Sequence, residues 1–135
     1  MDSVELRLRT GSTRLHDVTR VVADALRDLG ADDGLAHLFL PHATAGLALL
    51  ETGAGSDHDL LDALDELLPR DDRWRHAHGS HGHGADHVLP ALVSPSLSVP
   101  VLEGTMALGT WQSVVVVDTN LDNAERSLRV SFLRG

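Results

Sequence analysis

The sequence predicts an α+β fold: a single compact domain, mainly antiparallel β-sheet of about seven strands, with two main helices. Three observations carry this. Apolar and polar residues alternate near both ends of the chain. Two internal stretches instead place apolar residues at helical spacing. The later strands follow one another with no helix between them, which favours antiparallel pairing over a doubly wound sheet. The 135 residues suit one domain over 1–135, of a size that buries about two-thirds of its unfolded surface.

Val4, Leu6 and Leu8 alternate with Glu5, Arg7 and Arg9 as a half-buried strand, which Gly11 and Ser12 break. From Asp17 to Leu29, Val18, Val21, Val22, Ala25, Leu26 and Leu29 recur at helical spacing before a stop at Gly30. Leu35 to Leu40, ended by Pro41, and Gly46 to Glu51 read as buried strands joined by a tight link. Ser56, three residues before Asp59, is expected to cap a Leu-rich helix stopped by Pro69. Pro69 to Asp86 reads as a long loop, and loops of that length are commonly functional or disordered. One helical turn is expected over His87 to Val93, with Pro90 near its start. Strands follow at Ser96 to Val101, Met106 to Leu108, Trp111 to Val117 and Arg126 to Leu133, with a turn at Glu103-Gly104.

Composition narrows the chemistry. Eleven Lys and Arg against 20 Asp and Glu give a net charge of −9, which disfavours a nucleic-acid partner. No apolar run approaches the ~20 residues of a membrane span, and the charged, alternating start does not read as a secretory signal, so a cytoplasmic setting is expected. There is no Cys, excluding disulfides, thiolate-bound metals and a Cys nucleophile. With nine His and no Tyr, base and metal-ligand chemistry falls to His and carboxylates.

His76, His78, His81, His83 and His87 fall within twelve residues. Imidazole is a common ligand for zinc and related ions, yet no zinc-finger spacing is present and no pair is expected four apart on a helix. Composition leaves a metal loop and a solvated His/Gly loop equally open. His42, between two strands, is either a bonded structural ring or a site residue. Glu51 is a carboxylate candidate or simply the solvent end of a strand. Trp111 offers a wall for a flat ligand and Gln112 a donor and an acceptor, although a Trp at a strand start also serves as core. Arg126 and Arg129 could bind a phosphate bidentately, although isolated surface arginines say little.

In order, the segment Pro41-His42-Ala43-Thr44-Ala45 with Glu51, the Leu-rich helix ending at Pro69, Trp74-Arg75-His76 with His87, Ser98-Val99-Pro100-Val101 with Glu103-Gly104, and Leu108-Gly109-Thr110-Trp111-Gln112 resemble the YjbQ-type family. That family is associated with a secondary thiamine-phosphate synthase activity. The resemblance implies a homotrimer with a His-lined site between subunits. It assigns a catalytic role to His42, Glu51, His76 and His87, and a divalent metal ion (Zn or Mg) to His42, His76 and His87. It places Thr44, Trp111 and Gln112 against a small phosphorylated substrate, and gives no role to His78, His81 or His83. The chain departs from the family pattern at Leu50, Thr52 and Ala54-Gly55, and where His81, Gly82 and His83 replace an acidic and Asn-rich cluster. The expected reaction joins a hydroxymethylpyrimidine diphosphate to a thiazole phosphate with loss of pyrophosphate. The rival readings are a trimeric metal- or anion-binding module without turnover, and a metal-assisted hydrolase with Glu51 as base.

Overall fold

A computed structural model describes residues 1–11 and 13–135; Ser12, expected to help break the first strand, lies outside the described residues. The chain forms β1 (Asp2–Arg9), β2 (Leu15–Asp17), α1 (Thr19–Asp28), β3 (Gly34–Phe39), β4 (Ala45–Leu50) and α2 (Ser56–Leu67). It continues through α3 (Gly84–Leu92), β5 (Ser96–Leu102), β6 (Thr105–Met106), β7 (Ser113–Asp118) and β8 (Glu125–Arg134). Every strand pair is antiparallel. A five-stranded sheet runs β1-β8-β3-β5-β6 and a three-stranded sheet runs β2-β7-β4.

Strand alternation builds the main core. Leu128, Val130 and Phe132 of β8, Ala36 and Leu38 of β3, and Val99 and Val101 of β5 point inward. Val22, Ala25 and Leu26 of α1 and Val114 and Val116 of β7 meet them. The alternate side chains of β7 serve a second cluster, in which Val117 packs with Leu64 of α2 and Leu89 of α3. The four valines of β7 are thus buried on both faces. That explains an unbroken apolar run where a one-sided strand would alternate.

Three local expectations change. The eight strands among the described residues include β2, whose single apolar residue, Leu15, gives no readable period. Helix α3 has nine residues rather than one turn, so the preceding loop ends at His83 and Pro90 sits well inside the helix. Ser56 is the first residue of α2, not its cap; Gly55 precedes it and no side chain caps the helix.

The β4–β7 ladder sets the distance between the two ends of the sheet where polar residues gather. Ala45 pairs with Asp118 at one end and Leu50 with Ser113 at the other. Five residues at ~3.4 Å each separate the ends by about 17 Å.

Candidate metal centre

His76, His83 and His87 each offer a ring nitrogen, and the three atoms lie within 4.8 Å of one another. His87 stands on the first turn of α3, whereas His83 precedes that helix with an already helical backbone (φ −54°, ψ −26°). The two are therefore an i, i+4 pair on one face, contrary to the expectation that no loop histidine would pair at helical spacing. His76 arrives from the loop. A Cβ on Gly84 would fall on Trp74 Cβ and the His76 carbonyl, so only glycine there lets the His76 segment lie against the start of α3. The Trp74 indole N–H donates to the Pro69 carbonyl (2.8 Å) and anchors that segment.

The nitrogens are arranged as ligands. His83 Nε2 and His87 Nε2 are 2.9 Å apart. His76 Nε2 is buried and has no hydrogen-bond partner, a costly state for a polar atom unless something occupies its lone pair. On its far side His83 Nδ1 lies 3.1 Å from Asp122 Oδ2 and 3.4 Å from Asp86 Oδ2. Neither His83 Nδ1 nor Asp86 Oδ2 makes a hydrogen bond, so the two carboxylates act on this ring through their nearby negative charge. Asp86 Oδ1 accepts from Arg70 Nη1 (2.5 Å) and the Thr119 hydroxyl (2.8 Å), leaving Oδ2 toward His83. The Ser80 N–H bonded to Asp122 holds that carboxyl below its usual range. Partial desolvation, then the neighbouring imidazoles, lower His76 and His87 below the ordinary imidazole value, so their lone pairs are free near neutrality. This donor set fits a nitrogen-preferring ion such as zinc; magnesium, which wants oxygen ligands, fits poorly.

Beside the triplet opens a cleft of about 340 Å³ whose walls include His42, Thr44, Asn120, Asn123 and Arg126. Arg126 is buried, not the surface arginine expected. Its Nε donates to Asp118 Oδ2 (2.7 Å) and its Nη2 to Asp118 Oδ1 (3.3 Å) and Thr44 Oγ1 (3.1 Å). The Thr44 hydroxyl also accepts from Asn120 Nδ2 (3.2 Å), so it braces Arg126 from beneath. His42 Nε2 lies 2.9 Å from the Ser127 backbone nitrogen and 3.2 Å from the Ser127 carbonyl oxygen, which ties the ring to the start of β8. Burial, then the Arg126 charge, lower the His42 pKa.

The expected trio of His42, His76 and His87 is thus not the set that converges. His83 takes the third place and His42 stands elsewhere on the cleft wall. Glu51 follows β4, and Trp111 and Gln112 precede β7, all at the opposite end of the ladder. Trp111 is 73% exposed, and Gln112 Oε1 accepts from the Gly109 N–H (2.8 Å), closing a turn rather than opening a strand. Within one chain these three lie beyond one end of a ladder about 17 Å long, and Thr44 lies beyond the other. Arg70, Asp86, Asp118 and Asp122 join the site with no sequence motif to announce them. Arg126 has a readable signal, since it shares the inward phase of Leu128, Val130 and Phe132 on β8.

Comparison with known proteins places the chain among relatives. Residues 4–135 match the family model described as UPF0047 protein YjbQ-like. UPF0047 protein Rv2556c of Mycobacterium tuberculosis is 58% identical over the whole of both chains. UPF0047 protein YugU of Bacillus subtilis is 36% identical over 73% of this chain and 74% of its own. Among solved structures, conserved hypothetical protein TT1486 of Thermus thermophilus superposes with a TM-score of 0.83 at 32% identity, over 96% of this chain and 99% of that one. Hypothetical protein APE1520 of Aeropyrum pernix superposes with a TM-score of 0.87 at 27% identity, over 100% of both.

Proposed function

Because the chain belongs to the YjbQ-like UPF0047 family, we propose that it is a metal-dependent transferase acting on small phosphorylated molecules. Its reaction is that of a thiamine-phosphate synthase. The observation that carries this reading is a cleft lined by buried Arg126 together with His83 and His87, two of the three convergent imidazoles. The thiazole nitrogen forms a C–N bond to the pyrimidine methylene carbon, and the C–O bond breaks with its electron pair leaving on pyrophosphate. Such a step asks the protein mainly for positioning and charge neutralisation.

His76, His83 and His87 would hold the ion, which when bound supplies positive charge to the departing diphosphate. Arg126, held in place by Asp118 and Thr44, adds a second fixed positive charge. His42 lines the same cleft wall. Asp86 and Asp122 place negative charge beside His83. Asp118 balances the Arg126 charge and Asp86 and Asp122 are negative, so in a chain of net charge −9 the ion itself would supply most of the attraction for an anion. Glu51, Trp111 and Gln112 join such a site only if a second copy brings its far ladder end to this cleft. Homotrimeric assembly and a cytoplasmic setting therefore belong to the same proposal.

The test is rescue of a bacterial strain lacking its main thiamine-phosphate synthase by the wild-type chain, set against His87→Ala. Rescue by the wild type alone supports the reading; no rescue by either, with both proteins folded and expressed, sinks it. A metal-holding module without turnover is the second reading. It is favoured by the distance of Glu51, Trp111 and Gln112 from the imidazoles. The same distance takes Glu51 away as the base of a hydrolase within one chain.

A further inference from the structure

The converging triplet leaves one imidazole unaccounted for. His78 is exposed and makes no hydrogen bond to the described residues, yet its ring meets that of His76 edge-on at 4.0 Å between centroids. It stands 5.7 Å from His83 and 6.2 Å from His87, and it lines the same cleft as both. Two rings that share one tetrahedral ion through bonds of ~2.0–2.1 Å sit roughly 5 Å apart. The four rings already bracket that spacing.

The backbone after His78 is held in this position. Gly79 adopts φ +82°, and a Cβ there would meet Asp122 Oδ2 and the His83 ring. The chain at residue 79 therefore presses against the very side chains that back the triplet. One residue later the Ser80 N–H donates to Asp122 Oδ2 at 3.2 Å. The His78 backbone is thus pinned over the centre, while its exposed side chain keeps its rotamer freedom.

We propose that His78 is an exchangeable fourth ligand, closing a tetrahedral all-imidazole centre in the resting protein and giving way to an incoming anion. The proposal rests on the three-imidazole centre of His76, His83 and His87. Zinc and cobalt sites with three protein ligands keep an open position, whereas four protein ligands close it. His78 is the uncommitted donor nearest that position. Because it comes from solvent and not from the core, it can leave without unfolding anything. An anionic oxygen drawn in by Arg126 and His42 would take its place.

The test is Co²⁺ titration of the metal-free full-length chain, read from visible absorption. The wild type is expected to bind one Co²⁺ with the intense band of a four-coordinate nitrogen site. His78→Ala should weaken binding by at least about 10-fold, the smallest loss typical for groups supporting a metal site. It should also let inorganic phosphate alter the band at concentrations that leave the wild type unchanged. His81→Ala, an exposed loop histidine beside Asp72, serves as the control and should match the wild type. Wild-type affinity and spectrum in His78→Ala would overturn the proposal, as would equal weakening by His81→Ala. Failure of the wild type to bind Co²⁺ at all would overturn the three-imidazole centre itself, and this proposal with it.

Discussion

His83 Nε2 and His87 Nε2 face each other at 2.9 Å across the start of α3. Two neutral imidazoles can meet this way only if one donates and surrenders a lone pair, whereas a shared cation uses both lone pairs at once. With His76 Nε2 buried and unpartnered beside them, a cation would satisfy three nitrogens where a proton satisfies two.

Replacing His76→Ala should therefore remove zinc binding at concentrations that saturate the wild type, with the far-UV circular dichroism unchanged. Inductively coupled plasma mass spectrometry on dialysed protein gives the stoichiometry. Retention of one zinc per chain would show that the triplet is not the centre.

Asp122→Asn keeps an acceptor for the Ser80 N–H but loses the charge behind His83 Nδ1. Zinc affinity is expected to fall roughly 10–100-fold, the usual cost of losing a group that supports a ligand. Competition against a chromophoric chelator measures it.

Arg126→Met leaves the Asp118 carboxylate, which is 0% exposed, without its partner. Breaking a buried pair on one side costs about 3–5 kcal/mol, to be read as a drop in the urea midpoint. The double replacement Asp118→Leu with Arg126→Met should recover most of that loss, since no charge then remains buried.

His42 is one source of the pH dependence of the metal-free protein, beside His76 and His87, which are lowered as well. Its folded pKa lies below the ordinary 6.5, through burial and then Arg126. The unfolded chain then binds a proton that the folded chain refuses. The stabilisation is complete above about pH 6.5 and is lost as pH falls from there toward the lowered folded value. Melting temperature should decline over that window, and His42→Gln should flatten part of the decline. A wild-type curve that rises on acidification would contradict the assignment.

Gly84→Ala places a methyl group on Trp74 and the His76 carbonyl. Overpacking of this kind costs typically about 1–3 kcal/mol. The displaced segment carries His76, so zinc affinity should fall together with stability in calorimetry and in chelator competition.

How far the sequence foretells the structure depends on the type of signal. The strands β1, β5 and β8 declare themselves by alternation and α1 by its apolar stripe, because burial on one face imposes a period, while β3 shows as a short apolar run ended by Pro41. β2 is three residues long and has no period to read. The N-terminal part of α3 is written Gly84-Ala85-Asp86, which reads as loop because its burial comes from the Trp74 segment folding over it. The site is legible in kind and not in membership. Counting histidines points to metal, but choosing among them requires knowing that His83 already has helical backbone. Arg126 reads as a surface residue when charge is weighed above phase, yet its position on β8 is the better guide. Glu51, Trp111 and Gln112 join the histidines only by resemblance, and no local pattern reports that a whole strand length lies between them.

The double burial of β7 sets the order in which the molecule opens. Amide protons of Val114 to Val117, flanked by β2 and β4 and roofed on both sides by apolar side chains, can exchange with deuterium only when the whole domain comes apart. The polypeptide from Pro69 to His83, by contrast, carries no regular secondary structure of its own and should exchange early. If the proposed ion binds, its capture and release would proceed by local fluctuation of that segment while the hydrophobic centre stays shut.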